Sequence, residues 1–167
     1  MLVKVINKLL GITVSLCVLC TSLTVSAKST YDVPNNSEFK AYMDYRTITS
    51  VNSTQYKIQQ KCITDSNGVR CYNGRYTVAI GTGFKASAGT YIDVKLSSGK
   101  VLKCIVGDIK KNIHTDSTNM QVSGNGNVVE FIVDSNILPK TVINQGTLSA
   151  LDEFAGYGDT ITTYSKE

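Results

Sequence analysis

The chain predicts a mainly β protein: a small closed barrel of six or seven short strands with one or two short helices. Three observations carry that expectation. From Gln55 onward, apolar and polar residues alternate in short runs. Gly- and Asn-rich turns separate those runs at short intervals, as at Asn73-Gly74 and Ser97-Ser98-Gly99. Helical signals are few and short, which leaves closure of a sheet on itself as the way to bury one apolar face.

The first 27 residues read as a signal peptide, set apart from the folded chain. Lys4 and Lys8 give a basic start, and Leu9 to Leu19 is apolar but well short of the ~20 residues that span a bilayer. Val25 and Ala27 are small residues placed as a signal peptidase requires. The expected protein is therefore secreted and free of the membrane once the signal is removed. Residues 28–54 form a polar lead-in with a breaker at Pro34-Asn35-Asn36, and Glu38 to Thr47 suits either a short helix or an edge strand.

The barrel is expected over residues 55–167. Gln55 to Thr64 alternates as a strand and reaches the turn at Ser66-Asn67-Gly68; Val69 to Tyr72 returns. Asn73-Gly74 turns the chain into Arg75 to Ile80, with Tyr76, Val78 and Ile80 on one face. Gly81-Thr82-Gly83 makes a tight loop. It lacks the Lys-Ser/Thr pair and following helix of a phosphate cradle, so a nucleotide is not expected. Thr90 to Leu96 and Lys100 to Val106 form a hairpin, followed by a long polar connection to the turn at Gly124-Asn125-Gly126. Val128 to Val133 is the most apolar strand, Thr147 to Phe154 suits a short helix, and Asp159 to Tyr164 closes the chain.

Composition narrows the partners. The chain has 17 basic and 13 acidic residues; without Lys4 and Lys8 the balance is 15 against 13, a net charge of +2. That is too even to point to nucleic acid or an anionic membrane. With no Trp, an aromatic platform for sugars has to come from the nine Tyr. Cys17 and Cys20 leave with the signal. Cys62 and Cys71 flank a turn and suit a disulfide across a hairpin, and Cys104 alternates with Leu102 and Val106 as a buried thiol.

The chemistry-bearing residues gather between Val101 and Asp134. Two apolar runs end in carboxylates, Asp108 and Asp134, and Glu130 lies inside the second run. A carboxyl group held among apolar neighbours keeps its proton to higher pH and can donate it. Glu130, flanked by Val128, Val129, Phe131 and Ile132, is the acid whose neighbours best provide that. Asp108 follows Gly107 at a strand end, where a carboxylate also serves a turn. His114-Thr115-Asp116 offers a base or ligand in a loop, but a zinc centre wants three protein ligands, so no metal and no cofactor is expected.

Ala79-Ile80, Ala88-Gly89-Thr90-Tyr91-Ile92, Ile105-Val106-Gly107-Asp108 and Val128-Val129-Glu130-Phe131 follow in the order of a double-psi β-barrel. The chain resembles the three-aspartate domain, the barrel of lytic transglycosylase A and the rare-lipoprotein-A group. It is similar in particular to secreted or phage-associated proteins of Gram-positive bacteria. The resemblance covers about Gln55 to Thr163 and implies a cell-wall role, with peptidoglycan or another wall polymer as partner and a monomer as the working form. Carried onto this chain, it makes Glu130 the general acid and then base, with Asp108 its supporting acid. His114, Thr115, Asp116 and Lys110 would line the binding groove. Asp108 is followed here by Ile109-Lys110-Lys111, where the transglycosylases continue Thr-Gly-Gly. Two further readings stay open: a module that holds glycan without cutting it, and an accessory protein that binds protein.

Overall fold

The computed structural model describes residues 28–34 and 38–164; the expected signal peptide lies outside the described residues. The fold is mainly β. Among the described residues there are nine strands, more than the six or seven expected: β1 (Lys28–Asp32), β2 (Tyr42–Asp44), β3 (Ile63–Thr64), β4 (Arg70–Tyr72), β5 (Arg75–Ile80), β6 (Tyr91–Leu96), β7 (Val101–Ile109), β8 (Glu130–Val133) and β9 (Gly158–Tyr164). Two helices accompany them, α1 (Thr54–Gln59) and α2 (Lys140–Gln145). The strands pair as one mixed sheet in the order β1-β9-β6-β7-β5-β4-β3, and β8 joins β2 to β5 off that path.

Strand β5 is the branch point. Asn73 and Gly74 both adopt positive φ (50° and 71°), the conformation of a tight two-residue hairpin turn, and set Tyr72 opposite Arg75. The first half of β5 therefore pairs with β4. Its second half pairs antiparallel with β8, Val78 opposite Phe131 and Ala79 opposite Glu130. Along the other edge runs β7, parallel, because β6 carries the chain back between them.

Period-two alternation gives β5 two buried faces. Val78 and Ile80 point into the main core with Ile92, Val106, Phe131 and Ile161. There Phe131, Phe154 and Tyr76 meet edge to face, with ring centroids 4.9 to 6.1 Å apart. Thr77 and Ala79 point the other way. On that side Ile58 and Gln59 of α1 are buried, and Gln59 and Ile132 approach β7 closely at Gly107.

Helix α1 replaces the strand expected from Gln55 to Thr64; only Ile63 and Thr64 of that run pair as strand. The Ser53 hydroxyl accepts from Tyr56 N at 3.1 Å and caps the helix, and burial of Ile58 and Gln59 fastens it to the sheet. The lead-in contributes two strands, β1 on β9 and β2 on β8. At the other end, the helix expected over Thr147 to Phe154 shrinks to a 3-10 turn at Leu148–Ala150. The longer helix is α2, which begins after Pro139 and ends at Gly146, whose φ of 67° suits a helix stop. A charged knot ties the lower strands: Asp93 takes Arg75 at 3.3 Å, Lys103 at 2.5 Å and the Tyr164 hydroxyl at 2.8 Å.

Gly81-Thr82-Gly83 is a packing device. Gly83 N donates to Asn119 O at 3.0 Å, and a Cβ on Gly81 would lie 1.9 Å from that same oxygen. Gly81→Ala must push the 116–120 loop away from the sheet. We expect it to destabilise the protein by roughly 2–3 kcal/mol in urea unfolding; an unchanged midpoint would contradict the close approach.

Candidate functional site

Ala79 is the reference point for the acidic residues. It pairs with Asp108 on one side and Glu130 on the other, so the three residues form a row across β7, β5 and β8. Side chains directly opposite one another share a face of the sheet. The two acids thus flank one small methyl group, their Cα atoms two strand spacings apart, about 10 Å.

A bulge makes this alignment. Val78 pairs with Val106, yet Ala79 pairs with Asp108, so Gly107 is passed over. Without that extra residue, Ala79 would face Gly107 and the Asp108 side chain would turn to the opposite face. Gly107 also has no room for a side chain. A Cβ there would lie 2.6 Å from Ile132 Cδ1 and 3.1 Å from Gln59 Nε2.

Asp108 is half-buried beneath α1. Burial pushes its carboxyl up from the ordinary value, against the opposing hydrogen bonds from Ile109 N–H and the Gln55 side chain. Glu130 is half-buried as well, and Val129 and Phe131, its apolar neighbours in sequence, pack into the main core on the far face. Lys110 lies between the acids in sequence and is buried. Its Nζ donates to Asn127 O at 3.2 Å, and burial lowers its amine to about 8 while the nearby Glu130 charge opposes the fall.

The loop residues have other partners. His114 sits in the 3-10 turn Asn112–His114 with an exposed side chain. The Thr115 hydroxyl donates to Asn112 O at 2.9 Å and lies 3.0 Å from Asn119 Oδ1. Asp116 accepts from the Thr118 hydroxyl at 2.5 Å and from Met120 N at 3.0 Å; the Thr118 bond leads in holding its carboxyl below the usual range. Thr115 and Asp116 therefore build the loop that covers Gly81-Thr82-Gly83. Asp134, the other strand-end acid, takes Arg46 at 3.2 Å.

Among the described residues, no group of three or more His, Cys, Asp or Glu side chains is placed to hold a metal ion. The bridge expected between Cys62 and Cys71 is not formed. Both thiols are free, and the β3–β4 register sets Ile63, not Cys62, opposite Cys71. Cys62 Sγ instead donates to Ile58 O at 3.2 Å. Cys104 is fully buried, and burial pushes its thiol far up.

Gln55 is a neighbour of Asp108 that the sequence pattern hides, because its local alternation suits a strand. The available signal was Ser53, a helix cap two residues earlier. Among the described residues no helix is long and apolar enough to cross a membrane. Comparison with family models, characterised proteins and solved structures finds no match to the chain.

Asp108 also gives the protein a pH signature. A carboxyl raised above 3.8 on folding makes the native state bind its proton more tightly than the unfolded chain. Stability on this account falls as pH rises through the folded value. Asp108→Asn removes that loss, so its stability relative to wild type should be greater at pH 7 than at pH 3.5. Urea unfolding at the two pH values checks the sign; a variant that compares better at pH 3.5 would contradict it.

Proposed function

We propose that this protein acts on glycan strands of the bacterial cell wall, with Asp108 donating the proton and Glu130 as the second carboxylate. The observation that carries this reading is the shared register at Ala79, which puts both acids on one face. Their Cα spacing of about 10 Å accommodates carboxyl separations of ~6.5–9.5 Å, which leave room for an attacking hydroxyl between acid and base. Burial favours the protonated form of Asp108, so it suits the donor role that the resemblance gives to Glu130. Asp108 would protonate the glycosidic oxygen as the bond to the sugar carbon breaks. Glu130 would take the proton of the hydroxyl that attacks that carbon, from water or from the sugar itself.

The finer fold reading belongs to the same proposal. A double-psi barrel is supported by the order of the four sequence motifs and by the parallel β5–β7 pair, one of two parallel pairs, among the described residues, in a mainly antiparallel sheet. Export rests on the sequence of residues 1–27. A second reading, binding without cutting, is favoured by α1 lying over Asp108, since the Gln55 bond competes with access of a glycosidic oxygen to that carboxyl.

The test is digestion of purified peptidoglycan with wild type, Asp108→Asn and Glu130→Gln, with mass spectrometry of the soluble fragments. Wild type should release sugar fragments, with anhydro ends if the sugar's own hydroxyl attacks. Each variant should lose about 100-fold or more of the rate. Co-sedimentation of all three proteins with the wall and no fragments would establish the binding reading. Neither fragments nor binding would remove the wall assignment.

A further inference from the structure

Strand β1 is the outermost strand of the sheet path, and its second edge has no strand partner among the described residues. Its five residues pair with β9, from Lys28 opposite Tyr164 to Asp32 opposite Thr160, with no break in register. An open edge presents a row of unpaired N–H and C=O groups, and proteins blunt such rows with bulges, internal prolines or very short strands. The other end of the path is blunted in this way, since β3 is only two residues long. Strand β1 has neither bulge nor proline; Pro34 comes after its end.

Period-two alternation gives β1 two faces. Tyr31 turns inward, and its ring meets Phe84 edge to face with centroids 5.6 Å apart. Lys28, Thr30 and Asp32 stand exposed on the other face, where the Thr30 and Thr162 hydroxyls are 3.0 Å apart. Among the described residues neither Lys28 nor Asp32 has an ion-pair partner. Yet the strand is complementary to itself. A second β1 laid antiparallel, with the two Thr30 residues opposed, sets Lys28 against the partner's Asp32 and Asp32 against the partner's Lys28. Opposed residues share a face, so both charge pairs form on the exposed side. Centring on Ser29 sets Lys28 against the partner's Thr30, and centring on Tyr31 does the same to Asp32. Neither shift matches a charge.

We infer that β1 is a self-pairing edge, through which two copies of this chain join their sheets about a two-fold axis at Thr30. The charges select a second copy as the occupant, because the incoming strand must present an acid to Lys28 and a base to Asp32 at once. The contact is isologous, and it extends the Thr30–Thr162 row across both copies. Strands β9 and β6 lie between β1 and β7, so the pairing leaves the Asp108–Glu130 row open and stands apart from the glycan reading. Five residues a side make a small interface, so the dimer forms at high protein concentration, where it replaces the monomer that the resemblance implies.

The measurement is sedimentation velocity of the purified protein up to about 1 mM, the range in which so small a contact is populated. Wild type, Lys28→Asp, Asp32→Lys and an equimolar mixture of the two variants are compared. Wild type should show a concentration-dependent dimer. Each variant alone opposes like charges twice about the axis and should weaken that dimer by about tenfold or more. The mixture brings an all-acidic edge against an all-basic one and should restore the dimer. Recovery in the mixture also shows that both variants are folded.

A wild type that stays monomeric throughout would overturn the self-pairing and leave this edge to an extended segment of another protein. Variants that dimerise as wild type does would move the contact to another surface. A mixture that associates no better than either variant alone would overturn the Lys28–Asp32 register.

Discussion

Strand β5 has hydrogen-bonded neighbours along both edges and exchanges one of them halfway along its six residues. The remainder of the sheet is arranged by that exchange. Pairing with β4 ends after Tyr76, and β8 takes the place from Val78 onward, while β7 runs parallel on the other side. A strand so enclosed has no free edge and two packed faces. Its side chains answer to both: Val78 and Ile80 to the aromatic core, Thr77 and Ala79 to α1. Ala79 is small where the row needs a small residue, because two acidic residues flank it.

Much of this framework is legible in the sequence, since it is local. Asn73-Gly74 announces the β4–β5 turn, Ser97-Ser98-Gly99 the β6–β7 hairpin, and the alternation in Arg75 to Ile80 gives β5 within its observed bounds. What escapes the reading depends on distant partners. Strand β1 exists because β9 accepts it, with Thr30 and Thr162 side by side and their hydroxyls 3.0 Å apart. Helix α1 is six residues long, too short to hold by propensity, and it forms where Ser53 caps it and the sheet buries Ile58.

The candidate site divides along the same line. Asp108 stands out as an acid at a strand end and Glu130 as an acid inside an apolar run, but their alignment depends on a one-residue bulge at Gly107 that no local pattern announces. Glu130 looks buried when its sequence neighbours are counted, yet Val129 and Phe131 serve the opposite face. Thr115 and Asp116 lie in the polar loop expected to line a groove. Their hydrogen bonds instead hold the loop that crosses Gly81 and Gly83. Burial then acts on charge in one direction throughout this region. It raises the Asp108 carboxyl and lowers the Lys110 amine, so each is drawn toward its neutral form.

The alignment of both acids on Ala79 is the claim on which the functional reading turns, and the Ala79 methyl group can report it. Its carbon shift, read by NMR, should move in Asp108→Asn and move again, independently, in Glu130→Gln. A methyl signal that follows only one acid, or neither, would mean that the two carboxylates do not share a face, and the paired-acid account would fall with it.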